Sequence, residues 1–117
     1  MVVKARLEFK LLSATKTTDG HTLTLNLKNV GHRILKSMVI QLHHPTLKFP
    51  GETAQCFVYA LMPDADETIT FRVFDSSLER VRFSVSGYSS GDSYFSQESP
   101  LMTVNAREAV EDNYVMI

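Results

Sequence analysis

The residues that come closest to a catalytic motif are Gly87-Tyr-Ser-Ser-Gly91, which match the G-x-S-x-G pattern of serine hydrolases. In such enzymes a strand leads into a strained turn that exposes the serine, and a helix follows. Residues 92–100 have no helical character here, and no histidine follows Ser89 to act as its base. We therefore expect a simple β-turn at this run, assign no catalytic residue and predict that the protein is not an enzyme.

The histidine, cysteine and carboxylate side chains do not predict a metal site. His43 and His44 are neighbours in an extended segment, so their side chains point to opposite faces and cannot easily share one ion. The acidic loop at residues 64–67 offers oxygen ligands of the kind that calcium prefers, but no second acidic loop repeats the pattern. Cys56, the only cysteine, is predicted to be a buried thiol rather than a nucleophile. We expect neither a metal nor a cofactor.

The stretch with the strongest signal for recognition surrounds the same Gly-Ser turn. Tyr88, Tyr94 and Phe95 flank Ser89 and Ser90, and aromatic rings beside small polar residues are typical of protein-binding loops. We therefore predict a recognition loop formed by these residues. The alternative is that Phe95 anchors the final strand in the core.

Alternation of apolar and polar residues predicts the strands that must position these side chains. The clearest case is residues 21–29, where Leu23, Leu25 and Leu27 share one face and polar residues occupy the other. Similar patterns predict further strands at residues 3–12, 34–43, 55–61, 68–73, 81–86, 93–97 and 101–105.

The number and spacing of these segments predict the fold. Seven or eight short strands indicate an all-β domain, an immunoglobulin-like antiparallel β-sandwich that spans residues 1–106. Residues 107–117 are expected to form a C-terminal tail or the start of a linker. Within this tail, residues 107–112 favour a short helix, although it is too short to be stable alone.

Two expectations concern the core of this sandwich. Phe71 and Phe83, each in the middle of an alternating segment, are predicted to lie at its centre. Residues 55–61 are apolar on both faces, so this strand is expected to be covered on both sides.

Composition and charge exclude several classes of function. Twelve basic and thirteen acidic residues give a net charge of -1, so there is no basic surface of the kind that binds nucleic acid. No run approaches the roughly 20 apolar residues of a membrane-spanning helix, and we expect no direct membrane insertion by this segment. The single cysteine allows no intrachain disulfide. A lack of disulfides is common in a reducing compartment and also in archaeal and bacterial surface domains, so both compartments stay open.

Three turn segments carry a resemblance to a known class of domains. Asn29-Val-Gly31 ends a strand with an N-x-G turn, and residues 61–71 lead from a leucine through a proline turn into an alternating strand. Asp64 stands where a glycine is usual after the proline, and residues 88–92 precede a final apolar strand. These features resemble those of immunoglobulin-like accessory domains in prokaryotic surface and adhesion-related proteins. The resemblance covers about residues 21–105 and implies a non-catalytic scaffold or interaction module, with no binding residues to transfer.

Two functions of different classes remain open at this point. In the first, the chain is a structural or interaction module of a larger surface protein and contacts neighbouring domains or a protein partner. In the second, it is a stand-alone intracellular β-sandwich that forms a homodimer or binds a peptide through an exposed sheet edge. The compartment follows from the choice, since the first implies the cell surface and the second implies the cytoplasm.

Overall fold

Strands account for most of the described chain. The computed structural model describes residues 7–18, 20–43, 55–74, 79–105 and 107–108. Within these ranges the chain forms nine strands and no helix, and hence no helix that could cross a membrane. The strands are β1 (Leu7–Thr17), β2 (Gly20–Asn29), β3 (Leu35–His43), β4 (Gln55–Leu61), β5 (Asp66–Val73), β6 (Arg80–Ser89), β7 (Ser93–Glu98), β8 (Met102–Thr103) and β9 (Arg107–Glu108).

The strands form two sheets that pack as a sandwich around one core. Sheet A has the order β5-β2-β1-β9, and sheet B has the order β4-β3-β6-β7, with β8 paired to the start of β6. All pairs are antiparallel except β1 and β9, which run parallel. The prediction of an all-β antiparallel sandwich is confirmed.

The core is built from the side chains that alternation places inward on both sheets. Leu23, Leu25 and Leu27 of β2 are fully buried, as their spacing predicts. Phe71 from sheet A and Phe83 from sheet B are also buried, and their ring centroids lie 5.5 Å apart at a tilt of 44°. This aromatic contact joins the two layers, which confirms the predicted centre of the core.

The prediction for strand β4 is wrong in one respect. Its bounds, residues 55–61, agree with the structure, but only Val58 and Leu61 are buried. Phe57 and Tyr59 are 58% and 79% exposed, and Cys56 is half-buried rather than buried. Because each sheet of a two-layer sandwich packs on the core with one face only, the other apolar face of β4 lies open to solvent.

Strands β1 and β9 of sheet A depart from the predictions made from the sequence. β1 continues to Thr17, past the predicted end at residue 12, because a bulge between Leu11 and Ser13 inserts one residue and returns Ala14 to the core. Arg107–Glu108, the start of the segment expected to be helical, instead forms strand β9 beside β1. The rest of that segment and residues 3–6 of the first predicted strand lie outside the described residues.

Two polar side chains tie the layers together. The buried Asn29 donates from Nδ2 to the carbonyls of Arg33 (2.8 Å) and Leu61 (2.9 Å), and its Oδ1 accepts from the Gly31 amide (3.0 Å). This amide group therefore fixes the β2–β3 turn and links it to the end of β4. On the opposite side, Gln97 of β7 donates to the Leu7 carbonyl (2.8 Å) and accepts from the Leu7 amide (3.1 Å), so it connects sheet B to β1.

Candidate functional site

The predicted recognition residues lie on the β6–β7 hairpin rather than in a long loop. Tyr88 and Ser89 belong to β6, and Tyr94 and Phe95 belong to β7, with Tyr88 opposite Tyr94. Only residues 90–92 form the turn. The G-x-S-x-G run therefore lies in a strand and the tight turn after it, which is followed by another strand and not by a helix.

Tyr88 and Tyr94 form an exposed aromatic pair on the outer face of sheet B. Their ring centroids are 5.8 Å apart and the planes meet at 73°, an edge-to-face arrangement that aromatic rings prefer. The two residues are 43% and 65% exposed. The pair holds each ring in place against its neighbour while leaving both accessible from solvent.

The remaining predicted recognition residues turn away from this surface. Ser89 is only 4% exposed, and its hydroxyl donates to the Ser93 carbonyl over 3.4 Å, a long and weak hydrogen bond. Phe95 is half-buried and packs against the core from its position opposite Gly87. The alternative role of Phe95, as an anchor for the last long strand, agrees with this placement. Ser90 is half-buried in the turn.

Gly87 shows why the hairpin packs so closely on β3. A Cβ atom at this position would lie 2.9 Å from the Lys36 carbonyl oxygen and 2.9 Å from Cγ of Met38, so any side chain would displace the strand. Opposite it, β3 carries a register shift between Lys36 and Val39, and Ser37 there has a φ of 51°. A glycine inside an alternating strand is the sequence signal for such a close approach.

The tyrosine pair belongs to a row of side chains that crosses all four long strands of sheet B. Tyr88 lies opposite Lys36 of β3, which in turn lies opposite Ala60 of β4. We call Ala60, Lys36, Tyr88 and Tyr94 the tyrosine row. The Lys36 ammonium is 3.2 Å from the Asp92 carboxylate in the hairpin turn, so the row has a charged pair beside its aromatic rings.

The hairpin turn is attached to the neighbouring β2–β3 turn. The Ser90 amide donates to the Ile34 carbonyl (2.8 Å), and Nη1 of Arg33 donates to the Ser90 carbonyl (3.2 Å). Asp92 has a φ of 61°, a left-handed conformation that Asp tolerates better than most residues. These bonds hold the tyrosine row at a fixed position relative to the rest of the sandwich.

The rest of this face changes from apolar to polar along the strands. The next row contains Phe57 and Val39 followed by Ser86 and Ser96. Beyond it the contacts are polar, as in the hydrogen bond between Gln41 and Gln55 (3.3 Å). The sequence did not predict that Phe57 and Val39 join this surface, because the register between strands decides which residues lie side by side.

The possible metal ligands of the described part of the chain lie apart from one another. Its His, Cys, Asp and Glu side chains include no group of three or more that could hold a metal ion. Nε2 of His43 lies 2.8 Å from the Ser84 hydroxyl, while His44 is outside the described residues. In the acidic loop, the Asp66 carboxylate accepts a hydrogen bond from Asn26 (2.7 Å) on the surface of sheet A.

Comparison with known proteins identifies neither a family nor a function. No family model matches the sequence, and no curated protein is significantly similar to it. Among solved structures, the archaellum periplasmic stator protein FlaG from Sulfolobus acidocaldarius is 13% identical with a TM-score of 0.39, over 80% of this chain and 100% of that chain.

Two further solved structures are similar at the same level. A sporulation control protein from Bacillus subtilis is 12% identical with a TM-score of 0.41, over 91% of this chain and 51% of that chain. The β-glucosidase DesR from Streptomyces venezuelae is 16% identical with a TM-score of 0.42, over 86% of this chain and 15% of that chain. Likeness at this level is no guide to what the chain does.

Proposed function

We propose that this chain is a non-catalytic immunoglobulin-like interaction module that binds a protein partner through the tyrosine row. The observation that carries the proposal is the exposed edge-to-face pair of Tyr88 and Tyr94, held on two paired strands. Tyrosine is enriched at protein interfaces because it offers a large apolar ring and a polar hydroxyl with few rotatable bonds. A pair already fixed by strand pairing loses little conformational freedom on binding.

The surroundings of the pair also suit a protein interface. Tyrosines that contribute most to binding lie near the middle of a contact area and are ringed by polar groups. The charged pair of Lys36 and Asp92 supplies such a rim on one side, and the serines at positions 86 and 96 supply it on another. A flat partner surface with an apolar centre and a polar border would fit this arrangement.

The strand order supports the immunoglobulin-like part of the proposal. In the immunoglobulin fold, the first, second and fifth strands share one sheet, and the third, sixth and seventh share the other. Strands β1, β2 and β5 lie together in sheet A, and β3, β6 and β7 lie together in sheet B. The fourth strand, β4, pairs with β3 rather than with β5, which distinguishes this chain from the constant-type arrangement.

The non-catalytic part is supported by the position of the serine in the hydrolase-like run. A nucleophilic serine must be exposed and must contact a base. Ser89 is buried on the core side of β6, and its hydroxyl bonds to a main-chain carbonyl. Whether the module works within a larger surface protein rests on the resemblance of its turns alone.

Site-specific photo-crosslinking in an extract of the source organism tests the proposal. A photoreactive phenylalanine at position 94 is expected to give a discrete protein adduct, and the same probe at Thr24, on the outer face of the interior strand β2 of sheet A, is expected to give none. Excess unlabelled wild-type protein should suppress the adduct. The Tyr88→Ser/Tyr94→Ser variant should fail to suppress it, while the matched Thr22→Ser/Thr24→Ser variant should compete like the wild type.

Two results would contradict the proposal. Equal labelling from positions 94 and 24 would mean that the tyrosine row contacts other proteins no more often than the outer face of sheet A does. Full competition by the Tyr88→Ser/Tyr94→Ser variant would mean that the partner binds elsewhere on the molecule. A thermal melt of that variant by circular dichroism controls for loss of the fold.

A further inference from the structure

One edge of strand β4 has no strand partner in the part of the chain that the structure describes. Among the described residues β4 pairs with β3 alone, so the main-chain groups on its other side have no strand partner. Its seven residues, Gln55–Leu61, contain no charge and no proline. A groove of about 450 Å³, lined by residues 56–60 of β4 and 67–70 of β5, leaves space beside this edge.

The other outer strands carry the usual protection against edge pairing. Charges, prolines or short length normally prevent a free strand from pairing with another chain. β5 exposes Asp66, Glu67 and Arg72. β7 ends at the exposed Glu98. In sheet A, the far side of β1 is partly covered by β9. Strand β4 is therefore the one long described strand whose edge lacks such protection.

The sequence of β4 is nearly symmetric about Val58. If two copies run antiparallel with Val58 opposite Val58, then Phe57 of each copy lies opposite Tyr59 of the other. Both side chains are exposed and flank Val58 at a spacing of two, so they share the outer face of the strand. Cross-strand aromatic pairs stabilise antiparallel sheets, and the two-fold axis forms this pair twice.

We infer that β4 is a dimerisation edge, on which a second copy of this chain pairs antiparallel in the register centred on Val58. The two sheets B would then join into one continuous sheet, since each copy contributes β4 at the centre and β3, β6 and β7 outward. A second copy fits because the edge is uncharged and the net charge is only -1, so two copies repel one another weakly. This inference is independent of the proposed function, since the tyrosine pair remains exposed in the dimer.

A pair of charge variants tests both the edge and the register. In Phe57→Glu/Tyr59→Glu, the proposed register places two glutamates directly opposite each other, twice, and like charges in that position destabilise strand pairing. In Phe57→Glu/Tyr59→Lys, the same register places glutamate opposite lysine. Both variants introduce two charges at the same exposed positions, so each controls for the loss of the aromatic rings.

Sedimentation velocity of the 117-residue chain measures the fractions of monomer and dimer. We expect the wild-type protein to be a dimer at concentrations of roughly 100 μM. The dimer dissociation constant should be at least about tenfold higher in the glutamate–glutamate variant. The glutamate–lysine variant should remain a dimer. Circular dichroism melts confirm that both variants are folded, and Tyr88→Ser/Tyr94→Ser is expected to dimerise like the wild type.

Three results would overturn the inference. A wild-type protein that stays monomeric at these concentrations would mean that β4 does not pair with a second copy, leaving another extended chain as its candidate partner. A dimer that survives in both charge variants would lie on another surface. Loss of the dimer in both variants would exclude the register centred on Val58.

Discussion

The outer faces of the two sheets differ sharply although they rest on the same core. On sheet A, the residues that face outward in the paired rows of β1, β2 and β5 are polar, as in the row Lys10, Asn26 and Thr68. The exposed apolar side chains of this sheet, Leu12 at the bulge of β1 and Phe74 after β5, lie outside those rows and far apart in the sequence. On sheet B, two successive rows carry Tyr88 and Tyr94 and then Phe57 and Val39.

The difference separates positions that the packing of the fold constrains from positions that it does not. The inward positions of both sheets must be apolar for the layers to pack, so they say little about function. Outward positions have no such requirement, and the polar face of sheet A is the ordinary solution for a solvated sheet. Large apolar side chains gathered on the other outward face therefore point to contact with another molecule.

The largest effect is expected from the core that both faces share. Replacing Phe71 of sheet A by alanine removes its contact with Phe83 and should lower the free energy of unfolding by about 3–5 kcal/mol. Denaturant unfolding followed by far-ultraviolet circular dichroism measures this loss. A loss below about 1 kcal/mol would show that the faces do not depend on this contact.

A smaller loss of stability is expected when a buried polar residue is removed, and almost none when a polar residue on an outer face is removed. Asn29→Ala removes three hydrogen bonds and leaves the buried Leu61 carbonyl without that donor, which should cost about 2–3 kcal/mol. Asn26→Ala, on the outer face of sheet A, is the matched control and should change stability by no more than about 0.5 kcal/mol. Urea titrations of the two variants would contradict this view if their midpoints shifted equally.

The tyrosine pair itself should contribute modestly to folding. A double-mutant cycle with Tyr88→Ser and Tyr94→Ser is expected to give a coupling of about 0.5–1.5 kcal/mol, the usual range for edge-to-face rings. A coupling near zero would mean that the pair is not formed in solution. One well above this range would indicate that the rings serve the fold, which would weaken the contrast between the two faces.

The smallest effect is expected at the hydrolase-like run. Ser89→Ala deletes one long hydrogen bond to the Ser93 carbonyl, so stability should change by about 0.5 kcal/mol or less. Any turnover of a generic ester such as p-nitrophenyl acetate should be unchanged in this variant. A loss of turnover confined to Ser89→Ala, with Ser86→Ala unaffected, would contradict the assignment of the run as structural.

The fold was predictable from sequence wherever one face of a strand was apolar and the other polar. Residues 23–27 show this, because alternation fixes both the strand and the direction of its side chains. Alternation fails where a bulge resets it, as after Leu11, and where both faces are apolar, as in β4. In β4 the sequence could not show which apolar face packs on the core, since that depends on long-range pairing and on how the two sheets face each other.

The candidate site was predictable in part. The aromatic residues of the β6–β7 hairpin stand out by type, but their split into exposed Tyr88 and Tyr94 and inward Phe95 depends on which face each position takes. The addition of Lys36 from β3 depends on the register between strands far apart in the chain. The local sequence therefore identified the aromatic residues, and the pairing of the strands shows which of them share a surface.

The hydrogen bonds between Leu7 and Gln97 also bear on how the chain reaches its folded state. They join positions 90 residues apart, so the link between β1 and sheet B forms only after nearly all of the intervening chain is in place. Folds dominated by such distant contacts fold in milliseconds to seconds, whereas helical bundles fold in microseconds to milliseconds. During synthesis the hairpin of β1 and β2 emerges early, yet its Leu7 end must wait for the seventh strand. Residues 55–61, which carry no charge, are therefore synthesised before Gln97 and can meet other chains in that interval.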